Sequence, residues 1–193
     1  MRSDAPLIVM EVRRSPFAPT RTLSLYRDRM DLSDKGSLAL RIDLAQVTEV
    51  RLTVEPAPGV KGAALVVCRV RAGGKTMAFA SRRLRPDGGW SDESYAFRRA
   101  LTGLHDALRP RFGEIAFREG PSLRARLILS GTGAALAAGA VLFSGFMLFE
   151  RQAGLLAVIG LPFALTGGAI TWMFRPRADK AYDPDALIQR FSG

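Results

Sequence analysis

The chain has 193 residues, with Lys+Arg 28 against Asp+Glu 18, a formal net charge of +10 and a single histidine. One cysteine, Cys68, excludes an internal disulfide and a cysteine metal cluster, and a lone histidine excludes a histidine pair for a metal. Apolar residues make up 48%, an ordinary globular share, so a membrane signal has to be sought segment by segment.

At the N-terminus the apolar run Leu7-Ile8-Val9-Met10 stops at Glu11, too short for a secretory signal. From there to Arg85 the dominant period is two. Leu38, Leu40, Ile42 and Leu44 alternate with Ala39, Arg41 and Asp43, and Val50, Leu52 and Val54 alternate with Arg51 and Thr53. Val66, Cys68 and Val70 alternate with Val67, Arg69 and Arg71. This is the pattern of half-buried antiparallel strands, expected near 7–13, 22–26, 29–33, 38–43, 47–55, 63–71 and 75–82. Turn residues punctuate it at Asp34-Lys35-Gly36, Glu55-Pro56-Ala57-Pro58-Gly59 and Ala72-Gly73-Gly74-Lys75, the last a tight hairpin. Cys68 reads as a small buried hydrophobe, its reduced state fitting a cytoplasmic location.

The period then changes. Phe97, Leu101, Leu104 and Leu108 fall on one face of a helix spanning Ser91 to Leu108, with Ser91 or Asp92 as cap and Pro110 as stop. His105 lies beside that face and reads as a boundary residue, not a catalyst. No acid–base pair of carboxylates is evident, and Gly131-Thr132-Gly133 sits in an apolar run with no strand before it, so it cannot cradle a phosphate. No enzymatic activity and no cofactor are expected.

Leu127 to Phe149 and Ala153 to Phe174 are free of charge. At 1.5 Å per residue each reaches roughly 33 Å, against a hydrocarbon core of about 30 Å, so both are expected to be transmembrane helices. Only Glu150-Arg151-Gln152 separates them, which makes a tight antiparallel hairpin. Arg109, Arg111, Arg118, Arg124 and Arg126 precede the first span, and Arg175, Arg177 and Lys180 follow the second. Both termini are therefore expected on the cytoplasmic side, with Trp172 as an interfacial anchor. Small residues recur every fourth position: Gly131, Ala135 and Gly139 on the first span, Gly160, Ala164 and Gly168 on the second. They are expected to line packing faces, within the hairpin, between copies, or against another membrane subunit. Pro162 is expected to interrupt the second span, and the absence of ionisable residues from both argues against an ion or proton path.

Arg69 and Arg71 share a strand face, and Arg82, Arg83 and Arg85 cluster at the end of the next strand and its loop. These five are the candidate contacts for an anionic lipid headgroup or a protein partner. Nucleic acid is not expected, since the basic residues are not interleaved with aromatics. After the second span, Asp183-Pro184-Asp185 starts a short helical turn carrying Leu187, Ile188 and Phe191, which is expected to dock on the soluble domain, the membrane or a partner.

About seven antiparallel strands followed by one amphipathic helix resemble the pleckstrin-homology (PH)-like fold, the helix plugging one end of a bent β-sandwich. The chain also resembles a group of bacterial inner-membrane proteins that join a PH-like domain to two membrane spans. The residues carrying this are Leu65-Val66-Val67-Cys68-Arg69-Val70-Arg71 through Gly73-Gly74-Lys75, then Tyr95-Ala96-Phe97-Arg98-Arg99-Ala100-Leu101 with Leu104-His105. The resemblance covers roughly residues 20–175 and brings no activity with it. It implies an α+β chain: a cytoplasmic PH-like domain over 1–113, a linker over 114–126, a transmembrane hairpin over 127–174 and a cytoplasmic tail over 175–193. The function expected is a non-enzymatic, membrane-anchored interaction module, or else an accessory subunit of a larger inner-membrane complex.

Overall fold

The alternating segments form strands close to where their period puts them. The structure is a computed structural model that describes residues 5–57, 60, 63–149 and 154–187. It is mixed α+β and divides into two units, Met1–Gly120 with Lys180–Gly193, and Pro121–Asp179.

In the first unit, β1 (Ile8–Val12), β2 (Arg21–Leu25), β3 (Arg29–Asp34) and β4 (Ser37–Asp43) form an antiparallel meander. Met10 sits opposite Leu23, Leu25 opposite Met30, and Met30 opposite Ile42, so one face of the sheet is apolar throughout. Leu38 begins the β4 alternation but stays half exposed. On the opposite face Asp31 is 6% exposed and accepts two hydrogen bonds from Arg41, at 2.7 and 2.8 Å, a forked pairing that satisfies both oxygens.

A second sheet contains β5 (Val47–Pro56), β6 (Ala64–Ala72) and β7 (Lys75–Ala80), again antiparallel. Its inner face supplies Val50, Leu52, Cys68, Val70, Met77 and Phe79 to the core. The helix α1 (Ser94–Leu108) covers the sandwich with Phe97, Ala100, Leu101, Leu104, His105 and Leu108. A side chain at Gly103 would come within 3.1 Å of Ile8 and 3.2 Å of Leu25, so a small residue is needed for this close approach. The expected cap at Ser91 or Asp92 is corrected: Glu93 stands at the cap position with no side-chain cap hydrogen bond, and Asp92 Oδ1 accepts from the Ser94 amide at 2.8 Å just ahead of the helix.

Four short strands lie outside the seven expected. β8 (Arg82–Leu84) and β9 (Trp90–Asp92) form a hairpin whose turn is tied by Asp87 Oδ1 accepting from the Gly89 amide. The stretch read as a linker contains β10 (Ala116–Glu119), which pairs parallel to β5, Phe117 opposite Val50. β11 (Lys180–Ala181) pairs antiparallel to β10, with Arg118 opposite Ala181 and Glu119 opposite Lys180. The second sheet therefore has the order β11-β10-β5-β6-β7 and is mixed in direction at β10.

The second unit is a pair of helices, α2 (Leu123–Phe149) and α3 (Gly154–Met173), the latter running through Pro162. α2 is long and apolar enough to cross a membrane. The apolar helix of α3, counted over Val158–Met173, is shorter. The turn at Glu150-Arg151-Gln152, Pro58 and Gly59 of the long turn, and Ile188 and Phe191 of the tail lie outside the described residues.

Candidate functional site

The outer face of the second sheet is where the candidate arginines meet their neighbours. Along β5 the side chains of Glu49, Arg51, Thr53 and Glu55 alternate with the core residues, and Arg69 and Arg71 join them from β6. Arg69 donates to Glu55 Oε1 at 2.5 Å and to Thr53 Oγ1 at 2.6 Å. Arg14 reaches the other oxygen of Glu55 at 3.1 Å. Arg71 lies 3.6 Å from Glu49, which also takes a hydrogen bond from the buried Arg51 at 2.7 Å.

Burial alone would raise the Glu55 carboxyl, but hydrogen bonds from Arg69 and Thr53 and the charges of Arg69 and Arg14 outweigh it, holding it below its ordinary value. Burial and then the Arg69 charge pull Arg14 below its own ordinary value.

The other expected cluster is divided by its pairings. Arg83 bridges Glu93 at 3.1 Å and Glu11 at 2.6 Å. Arg85 forks onto Asp87, whose carboxyl is held down at about 2 by that hydrogen bond first and the Gly89 amide second. Arg82 has no ion pair among the described residues. Four of the five candidate arginines are thus engaged by carboxylates of the same chain. An added anion must compete with these, and exposed pairs of this kind each contribute about 0–1 kcal/mol.

A second arrangement, unanticipated, surrounds His105. The expectation of a boundary residue is corrected: His105 is 0% exposed. Its Nε2 and the Tyr182 hydroxyl share a hydrogen bond of 3.0 Å. Phe112, Phe117 and Tyr182 enclose the imidazole, with ring centroids 6.4, 5.6 and 5.9 Å from it. Phe117 comes from β10 and Tyr182 follows β11, so the cluster pins the returning tail to the first unit. Leu187 packs against the same core, and Arg109 donates to Asp185 at 2.8 Å. The helical turn at Pro184 therefore docks on the first unit, one of the three surfaces anticipated for it. Tyr182 itself offered no signal in the sequence.

Burial pushes the His105 imidazole down to about 4 from 6.5, against the pull of the Asp185 carboxylate. Between these values the unfolded chain takes up a proton that the folded chain refuses. Stability is therefore full above about pH 6.5 and falls as the pH drops toward 4. Urea unfolding of the full chain in detergent should lose about 2 kcal/mol between pH 7 and pH 5, a loss that His105→Gln removes.

Within the helical pair the packing seam runs through Gly133, Ala137, Ala140 and Ser144 on α2 and Gly160, Ala164, Gly167 and Thr171 on α3, the positions screened from solvent. Their spacing runs four, three, four on each helix, an alternation that averages 3.5 over a seven-residue repeat and keeps one face of each helix on its partner. A Cβ on Gly167 would lie 2.6 Å from the Ala137 amide nitrogen and 2.6 Å from the Gly133 carbonyl oxygen. Gly160 and Ala164 were expected on such a face and are in the seam. Gly131, Gly139 and Gly168 are not: each has open space where a Cβ would stand, because a strict step of four drifts off a seam that advances by 3.5. Ala135 and Gly139 instead line a side cleft of about 420 Å³ with Phe143, Ile159, Gly160 and Phe163. The guanidinium of Arg175 lies 4.6 Å from the Trp172 ring.

No group of His, Cys, Asp and Glu able to hold a metal ion occurs among the described residues. No family model, no curated protein and no solved structure matches the chain.

Proposed function

We propose that the chain is a non-enzymatic, membrane-anchored interaction module. In this reading a PH-like domain stands on the cytoplasmic face of a bacterial inner membrane and binds a protein partner or acidic lipid. The observation that carries it is the pairing of β10 with β11: the first unit continues on both sides of the helical segment and holds the two ends as neighbouring strands. Such a domain is fastened to its anchor at two points, which suits display at a surface.

The four-stranded meander, the β5–β7 sheet and the capping helix α1 support the PH-like assignment. Large apolar side chains along α2 and α3, among them Ile128, Leu142, Phe149, Val158 and Leu165, are each more than half exposed. Left in water, each forgoes about 1.5–3 kcal/mol of burial, so lipid around both helices accounts for them. Arg124 and Arg126 in the first turn of α2 and Arg175 and Arg177 after α3 support two spans with both ends cytoplasmic. His105, the single histidine, is occupied in the tail cluster, which supports a binding role over a catalytic one. Internal pairing of Arg71, Arg83 and Arg85 favours a protein partner over a free headgroup at those three positions.

Purification of the tagged chain from its native membranes in mild detergent tests this. Recovery with a stoichiometric protein, or with anionic lipid alone, is expected; stoichiometric turnover of a small molecule by the pure chain would refute it. A second reading, an accessory subunit docked within a larger membrane complex, is favoured by the outward glycines Gly131, Gly139 and Gly168. Gly139→Leu should then release the chain from that complex while leaving the hairpin seam intact.

A further inference from the structure

The first unit has a distinct end from which its chain departs. Gly120, its last residue before the helices, donates its amide to the Leu52 carbonyl at 2.8 Å, and its own carbonyl accepts from Arg51 at 3.1 Å. Its φ of +85° suits glycine and turns the chain away from β10 at this point. The returning strand re-forms beside it, Lys180 opposite Glu119. Because β10 runs parallel to β5, departure and return both lie toward the Pro56 end of β5, and the β6–β7 turn at Gly73-Gly74 lies at the other.

The same end carries apolar side chains that no described residue of the unit covers. Val54 belongs by alternation to the inner face with Val50 and Leu52, but it lies past the core and is 72% exposed. Glu55, next along the strand, holds Arg14, which opens the β1–β2 connection. That connection is a built turn. Arg13 donates to the Pro16 carbonyl at 3.1 Å, and Ser15 accepts from the Phe17 amide through its side chain and from the Ala18 amide through its carbonyl. What the turn presents is Phe17, 96% exposed, more than any other large apolar residue described, α2 and α3 included. Val60, in the β5–β6 connection, is also exposed. Around them Arg14 and Arg69 share the single carboxylate of Glu55, and Arg13 has no ion pair among the described residues. Three cations thus face one carboxylate.

We propose that this end of the domain, with Phe17 as its wedge and Arg13, Arg14 and Arg69 around it, docks into the interface of an anionic lipid bilayer. An aromatic ring enters the boundary between headgroups and acyl chains, and arginines beside it meet lipid phosphates. Tethering at Gly120 and Lys180 makes this contact intramolecular, so a few side chains suffice. The proposal rests on the membrane anchoring described above, and it adds a contact surface distinct from the strand-borne Arg71 and from Arg82, Arg83 and Arg85.

The test uses the full chain reconstituted in phosphatidylcholine vesicles with and without phosphatidylglycerol. An environment-sensitive fluorophore is placed at Phe17→Cys and, separately, at Lys75→Cys at the far end of the same sheet; Cys68 is fully buried. The label at 17 should shift to the blue and lose emission to a quencher carried on the lipid. This loss should grow with phosphatidylglycerol and shrink with salt or with Arg13→Gln, while the label at 75 stays aqueous. A label at 17 quenched only by aqueous iodide overturns the proposal, and so does one shielded from both quenchers, which signals a contact between copies. Retention of the chain in vesicles after carbonate washing is read on the same preparation. Its loss removes the anchoring and the proposal together, whereas retention with an aqueous label at 17 removes the proposal alone.

Discussion

Leucine in place of Gly167 is expected to drive α2 and α3 apart. The first atom of that side chain would already stand 2.6 Å from backbone atoms of Gly133 and Ala137, and backbone cannot swing aside as a side chain can. Overpacking usually costs 1–3 kcal/mol, and with backbone on both sides the cost here is about 3 kcal/mol or more. Gly133→Leu meets the same obstacle, since a Cβ there lies 2.8 Å from the Gly167 carbonyl oxygen and 2.8 Å from the Thr171 amide. Spin labels at the outward Leu129 and Trp172 positions give the measurement, a pulsed electron resonance distance. It should lengthen or broaden in Gly167→Leu and Gly133→Leu but not in Gly131→Leu, where the new side chain has open space. An unchanged distance in all three would mean that the seam is elsewhere.

Phe117→Ala is expected to cost about 3–5 kcal/mol, the range for removing a buried phenyl ring. Phe117 is 7% exposed and packs with centroid distances of 5.1 Å to Phe112, 5.6 Å to His105 and 5.6 Å to Tyr182. Loss of the ring opens a cavity at the one place where α1, β10 and the returning tail meet. The domain should become less stable as a whole, and the tail should become a protease site before the sheets unfold. Tyr182→Phe makes the contrast: it keeps the ring and removes only the hydroxyl partner of His105, at about 1–3 kcal/mol for the group left unpaired. Urea unfolding of both variants in detergent, with limited proteolysis of the tail, separates ring from hydroxyl. Equal losses would place the stabilisation in the hydrogen bond.

The parts of the fold legible in the sequence are those with enough residues to establish a period. β5 and β6 are long and half buried, and α1 repeats its apolar stripe over several turns, so both patterns rise above composition. β8, β9, β10 and β11 are too short for alternation to register, and the parallel pairing of β10 depends on a partner far back in the chain. The arginines illustrate a second barrier. Arg69 and Arg71 were visible as a basic face, but their neutralising acids are cross-strand neighbours, and Glu11 is 72 residues from the Arg83 it pairs with. In the helices the eye follows equal steps of four, whereas two packed helices are in register at alternating fours and threes. Phe17 carried no signal in the sequence, since nothing local tells whether an aromatic there folds inward or stands free.

The interleaving of sheet and helices sets an order on synthesis. Arg118 leaves the ribosome with β10 long before Ala181 exists to pair with it, and the whole helical unit, Pro121–Asp179, is translated between them. Until then β10 has one bare edge, and Phe117 and His105 lack the ring of Tyr182. The sheet is finished only after both helices have been made and the chain has come back to β10. Until the tail arrives, that edge is open to pairing with other chains and to aggregation. Completion of the β-domain thus waits on a segment made after the whole helical unit.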